Sequence, residues 1–182
     1  AVQPNFAPEQ MWSSWRTLRH WMVAGSLGAT YADPQKRAQL KPEACWEIEH
    51  GLKLSASDVF NASVQRSNWY RAISRLFEQF DYLLLPSAQV FPFDKSVPWP
   101  TSIDGLTMDT YHRWMEVVIP GTLSGCPVAN VQAGFNASGL PMGLQIIGRH
   151  QADFAVLQLA HAYEQASRWF QRCPSPLLNG GF

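Results

Sequence analysis

The sequence predicts an α/β fold, and three observations carry that expectation. Apolar residues recur at helical spacing near the start of the chain, as Met11, Trp12, Trp15, Leu18 and Met22. A short unbroken apolar run, Tyr82-Leu83-Leu84-Leu85, then stops at Pro86, which suits a fully buried strand. Two further strand-like runs, Val128–Gln132 and Met142–Ile147, flank the turn residues Asn136-Ala137-Ser138-Gly139 and read as a hairpin. With 182 residues, 46% hydrophobic and 15% charged, the chain is read as one globular domain, 1–182. A helical section is expected over 1–80, a strand, hairpin and helix section over 81–172, and a loose tail over 173–182.

Each element has its own signal. Pro8 and Glu9 suit the first turn of a helix, where a missing N–H costs nothing and a carboxylate meets the positive end. Gly25 is the expected stop. A second helical piece is expected over 33–40, and Pro42 restarts a short one that ends near Gly51. Ser55 and Asp58 resemble a capping box, opening a long helix to Phe80 with an apolar stripe of Phe60, Val64, Tyr70, Ile73, Phe77 and Phe80. Residues 86–110, with Pro at 86, 92, 98 and 100, read as a long loop of the kind that often serves binding. Thr110–Val118 reads as a short helix, broken by Ile119-Pro120-Gly121. Asp153 is expected to cap a final helix reaching Phe170, burying Val156, Leu159, Tyr163, Ala166 and Phe170.

Composition removes several classes of function. Formal net charge is zero, so no basic field invites nucleic acid or anionic lipid. No apolar run reaches the ~18 residues of a membrane span. Cys45, Cys126 and Cys173 have no CxxC spacing and the five histidines no metal-ligand spacing, so no metal is expected. A sparse, odd set of thiols fits a reducing cytoplasm. Asn61-Ala-Ser63 and Asn136-Ala-Ser138 match the glycosylation pattern but read as chance matches in that compartment. A chain opening Ala-Val-Gln-Pro-Asn reads as a processed, cloned or clipped piece. Three strands also make a poor sheet alone, so strands from elsewhere are expected beside them.

Three stretches carry a resemblance. They are Phe80-Asp-Tyr-Leu-Leu-Leu-Pro-Ser87, Ile119-Pro-Gly-Thr-Leu-Ser-Gly-Cys-Pro127 and Gly139-Leu-Pro-Met-Gly-Leu-Gln-Ile-Ile-Gly148. Together with Asp153 and the closing helix they resemble the C-terminal section of amidase-signature enzymes, and residues 8–80 are similar to the helical region before it. Physics rationalises the last run. Gly139 allows a positive φ in the turn, Pro141 favours an extended entry, and Gly143 lets another backbone approach closely. Leu144 and Ile146 should point to one face of the strand, Gln145 and Ile147 to the other.

The resemblance implies an amide hydrolase without a cofactor: the C-terminal part of the amidase-signature fold, its helices packed on a mixed β-sheet that is incomplete in this chain. The family uses a nucleophilic Ser, a bridging Ser in a cis peptide and a Lys as base, because a serine hydroxyl is a poor nucleophile until a base activates it. Those residues sit in a Gly/Ser-rich segment. None of Lys36, Lys41, Lys53 and Lys95 precedes such a segment, and Ser124-Gly125 and Ser138-Gly139 are isolated turn pairs. No catalytic residue is therefore assigned, and this chain alone is expected to be inactive.

What the resemblance does carry over is part of a pocket wall: Pro86, Ser87, Trp114, Met115, Ile119 and Thr122. Apolar side chains with a few hydroxyls suit a small-molecule pocket, and the same residue types also suit plain core and helix packing. Amide-transferring members that act on tRNA tend to carry a polar residue near Met115, which favours a plain hydrolase over part of an aminoacyl-tRNA amidotransferase. The partners expected are a small-molecule amide and either a missing N-terminal part or further copies of the chain, with no nucleic acid and no membrane. Two rivals from other classes stand beside this. One is a hydrolase built on Cys126 with His112 or another histidine; the other is a non-catalytic assembly or binding module that completes another chain.

Overall fold

A computed structural model describes residues 2–172; the tail expected over 173–182, with Cys173, lies outside the described residues. The chain divides into two compact units between Leu76 and Phe77. The first holds α1 (Pro8–Ala32), α2 (Pro34–Arg37), α3 (Pro42–Gly51) and α4 (Ala56–Leu76). The second holds β1 (Leu83–Pro86), β2 (Ser102–Ile103), β3 (Leu106–Thr107), a 3-10 helix (Arg113–Val118), α5 (Ile119–Ser124), β4 (Val128–Phe135), β5 (Pro141–Ile147), α6 (Asp153–Ser167) and a closing 3-10 turn (Trp169–Gln171).

In the first unit α1 starts at Pro8 as expected but runs through Gly25 and Gly28. A glycine inside a helix costs only about 1 kcal/mol, and a buried face of Trp12, Ser14, His20 and Ala24 outweighs that. The true stop is Asp33-Pro34, where the Asp33 carboxylate accepts from Gln35 N and Lys36 N and caps α2. Helix α3 closes on α1 through Gly51, which meets the main chain of His20. Beside it the buried Glu47 carboxylate accepts from Arg19 Nε at 3.0 Å. Helix α4 is tied to α1 by Ser14 Oγ donating to the carbonyl of Ala62, 2.7 Å.

The capping box at Ser55 is present: Ser55 N donates to Asp58 Oδ2 at 2.8 Å and Asp58 N donates to Ser55 Oγ at 3.2 Å. The stripe expected on α4 is corrected. Ala62, Trp69, Ala72 and Ile73 are buried, whereas Phe60 is 68% exposed and Val64 and Tyr70 are also exposed. The two sets run at the same spacing on opposite faces, and close contact with α1 favours the small alanines. The helix ends at Leu76, so Phe77 and Phe80 lie beyond it; Phe77 is buried and Phe80 exposed.

In the second unit β5 is the central strand, in the order β1-β5-β4, and both pairings are antiparallel. Leu84 pairs with Ile146, and Val128 with Ile147. The expected full burial of β1 is corrected. It has one strand neighbour in this sheet, and Leu84 is 55% exposed. The expected alternation on β5 holds. Ile146 joins Val131, Val156 and Ala160 in one cluster with α6, while Ile147 and Gln145 face Gly121 of α5 on the other side. Tyr82 Oη reaches across to donate to the Ala155 carbonyl at 3.1 Å.

The hairpin turn forms where expected, with Gly139 at φ 78° and Asn136 Oδ1 accepting from Ser138 N and Leu140 N. The loop 86–110 conceals a second hairpin, β2-β3, whose Asp104-Gly105 corner has both φ values positive. Asp-Gly is a strong hairpin signal that the loop reading passed over. The break expected at Ile119-Pro120-Gly121 is instead the first turn of α5, where a missing N–H costs nothing; the helix stops at Gly125, φ 69°. Before it, the expected helix 110–118 is a 3-10 helix kinked at Met115 (φ −115°, ψ 18°). Asp153 is the first residue of α6 rather than its cap; Ala166 is exposed within the helix, and Phe170 is exposed beyond its end at Ser167. Among the described residues no helix is long and apolar enough to cross a membrane.

Candidate substrate-pocket wall

Gln145 ties together three segments of the second unit. Strand β5 presents it to the same side as Ile147, and it is only 5% exposed. A buried amide must find partners, and Gln145 Nε2 donates to the carbonyl of Pro86 at 2.7 Å and to that of Val117 at 3.2 Å. Val117 N in turn donates to Gln89 Oε1 at 3.1 Å. Both backbone polar groups of Val117 are thus held by glutamine side chains, one from the sheet and one from the loop after β1.

Next to this, Ser87 N donates to the Gly143 carbonyl at 3.0 Å, extending the β1-β5 ladder by one bond. Gly143 has no side chain, and Ser87 Oγ and Asn130 Oδ1 crowd the space a Cβ would need. The close approach of another backbone expected at Gly143 is corrected: two polar side chains occupy that space.

The six expected wall residues fall into three groups. Pro86 and Ser87 stand together at the end of β1, joined to the 3-10 helix through Gln145. Trp114 and Met115 lie on that helix. The Trp114 ring meets Phe93 edge-on at 5.5 Å, and its buried Nε1 has no hydrogen-bond partner among the described residues. Ile119 is fully buried at the start of α5, and Thr122 is exposed with its hydroxyl donating to the Val118 carbonyl, 3.0 Å. The structure joins the first two groups through hydrogen bonds, buries Ile119 and turns Thr122 to the surface. Gln145 and Gln89 are the members that the sequence reading gave no role. The sequence placed Gln145 on the correct face of its strand, but nothing in it showed which carbonyls lay there.

Arg113 and Ser124 nearby are both engaged. Arg113 lies between Glu116 (3.0 Å) and Asp109 (3.5 Å). Ser124 Oγ donates to the Gly121 carbonyl and accepts from Cys126 N, so this serine and the main chain of Cys126 belong to the turn that ends α5. His112 is buried with its ring 3.8 Å from that of Tyr111, a packing position. The Ser55 hydroxyl, and then the Ser55 N–H, hold the Asp58 carboxyl below the usual carboxylate range; Ser96 does the same for Asp94. The hydrogen bond to Glu49 raises the Tyr31 phenol. All three groups lie at the surface. Among the described residues no group of three or more His, Cys, Asp and Glu could hold a metal ion.

The family model Amidase matches residues 21–157. Among curated proteins the chain is similar to a glutamyl-tRNA(Gln) amidotransferase subunit from Dehalococcoides mccartyi, 35% identical over 100 residues, which are 54% of this chain and 19% of that protein. The protein of the same name from Ralstonia pickettii is 50% identical over 54 residues, 30% of this chain and 11% of that one. Among solved structures, a bacterial aryl acylamidase of the amidase signature family matches with TM-score 0.79 and 26% identity, over 92% of this chain and 36% of that one. A 6-aminohexanoate cyclic dimer hydrolase shares the fold, with TM-score 0.71 and 16% identity over 92% of this chain and 37% of that one. The chain spans about a fifth or less of the length of these curated relatives and about a third of the solved structures. Fold, sequence runs and family model agree, and the chain belongs to the amidase family.

Proposed function

We propose that these residues are the C-terminal portion of an amide hydrolase of the Ser–cis-Ser–Lys kind, supplying sheet and one wall of its substrate pocket. The observation that carries this reading is the likeness to an aryl acylamidase over nearly the whole chain. In this reading Pro86, Ser87, Trp114 and Met115 form the wall, Ile119 backs it and Thr122 lies at its margin. The substrate is a small or medium amide. Attack on its carbonyl needs a base-activated hydroxyl and N–H donors for the oxyanion, and the 182 residues on their own are inert because Ser124 and Ser138 serve turns. The enzyme works in the cytoplasm without cofactor, nucleic acid or membrane. Either the rest of the family polypeptide or another copy of the chain completes the sheet.

The test compares the whole protein with the 182-residue chain on an aryl acylamide and on glutamine. Hydrolysis of the aryl acylamide by the whole protein alone is expected. Turnover by the 182-residue chain would overturn the division of labour, and an inert whole protein would overturn the hydrolase reading. A second reading, part of the amide-transferring subunit of an aminoacyl-tRNA amidotransferase, is favoured by the names of the curated relatives. It would be supported by glutamine hydrolysis that rises when aminoacyl-tRNA is added. The apolar Met115 argues for the first reading. A whole protein that binds a partner chain but cleaves neither amide would point to an assembly module.

A further inference from the structure

We infer that Gln145 is a positioning residue that sets substrate affinity by holding the 3-10 helix Arg113–Val118 against the end of β1. The inference rests on the amide-hydrolase reading above for its effect on substrate, and on hydrogen bonds alone for the clamp itself. One nitrogen, Nε2, bridges two carbonyls from separate segments, Pro86 at 2.7 Å and Val117 at 3.2 Å. The segment it holds is irregular: Met115 leaves helical geometry (φ −115°, ψ 18°). A kinked 3-10 helix has poor bonds of its own, so outside ties decide where it sits. There are two ties at Val117, Gln145 to its carbonyl and Gln89 to its N–H. Gln145 stands on the central strand, fixed by ladders on both sides, and is buried. It therefore acts as the rigid anchor, while Gln89 comes from a loop. Trp114 and Met115, on the same short helix, move with Val117. Loss of the Nε2 donors frees both carbonyls and lets the wall shift, which weakens substrate binding while the reacting groups stay in place.

The test uses the whole protein in three variants: Gln145→Met, which keeps volume but donates nothing, Gln89→Ala, and Val156→Ala. The last loosens the opposite face of the sheet and serves as the control for plain destabilisation. Gln145→Met is expected to raise KM for an aryl acylamide about tenfold, with kcat changed less than about twofold. Val156→Ala should lower Tm and leave KM alone. Amide exchange should rise at 113–119 in Gln145→Met, with no rise in α6. Gln89→Ala should shift KM the same way by a smaller factor, and it carries the kinetic test if Gln145→Met does not fold. Equal KM changes in Gln145→Met and Val156→Ala, or unchanged exchange at 113–119, would overturn the inference. If Gln89→Ala must stand alone, an unchanged KM overturns it. A wild type inert on every amide removes the substrate role together with the hydrolase reading, and the exchange result then decides the clamp by itself.

Discussion

Gly51 sets its bare Cα against the carbonyl oxygen of His20, closing α3 on the middle of α1. A Cβ built there would overlap that oxygen and come within 2.5 Å of the Ala24 Cβ. Neither neighbour is the free end of a flexible side chain, so one of the helices would have to move.

That contact fixes the sign of a substitution. At an unstrained helical site Gly→Ala stabilises by about 0.4–1 kcal/mol. Gly51→Ala should instead destabilise by about 1–3 kcal/mol, the usual cost of overpacking. Urea denaturation read by far-UV circular dichroism checks it; a midpoint at or above wild type would mean that α1 and α3 are not in contact at this point.

The capping box at Ser55 gives a second prediction. Ser55→Ala should cost about 1 kcal/mol, as N-cap losses do. The Asp58 carboxyl is held low by Ser55, so its folded pKa lies below its unfolded one. The stability this supplies is present above the ordinary carboxylate pKa and is lost as pH falls through the folded pKa. Denaturation midpoints measured from pH 5 down to about pH 2 should therefore fall less steeply in Ser55→Ala than in wild type. Parallel acid limbs would show that the hydroxyl does not hold the carboxylate.

Gly143 and Ser87 supply a third. Gly143→Ala forces a methyl group into the space held by Ser87 Oγ and Asn130 Oδ1, and should destabilise by about 1 kcal/mol or more. Ser87→Gly removes one occupant. The double variant should recover part of the loss, giving a coupling of about 0.5 kcal/mol or more for residues in direct contact. Strict additivity of the two changes would place Ser87 away from Gly143.

The sequence by itself determined the cap at Ser55, the hairpin turn at Asn136–Gly139 and the alternation along β5, and three of its runs carried the family resemblance. Each is written in local chemistry: a hydroxyl three residues from a carboxylate, a glycine where φ must be positive, a period of two. Tertiary packing decided the rest. It carried α1 through Gly25 and Gly28, because a buried face outweighs two glycines. It turned α4 so that Ala62 and Ala72 face inward and Phe60 outward, since close helix contact selects small residues that no apolar stripe reveals. It left Leu84 exposed by placing β1 at the side of the sheet. The candidate wall residues Pro86, Ser87, Trp114 and Met115 came one by one from the family resemblance. What ties their segments together is Gln145, whose partners are backbone carbonyls. Every residue has a carbonyl, so a sequence carries no mark of which one a buried amide will find.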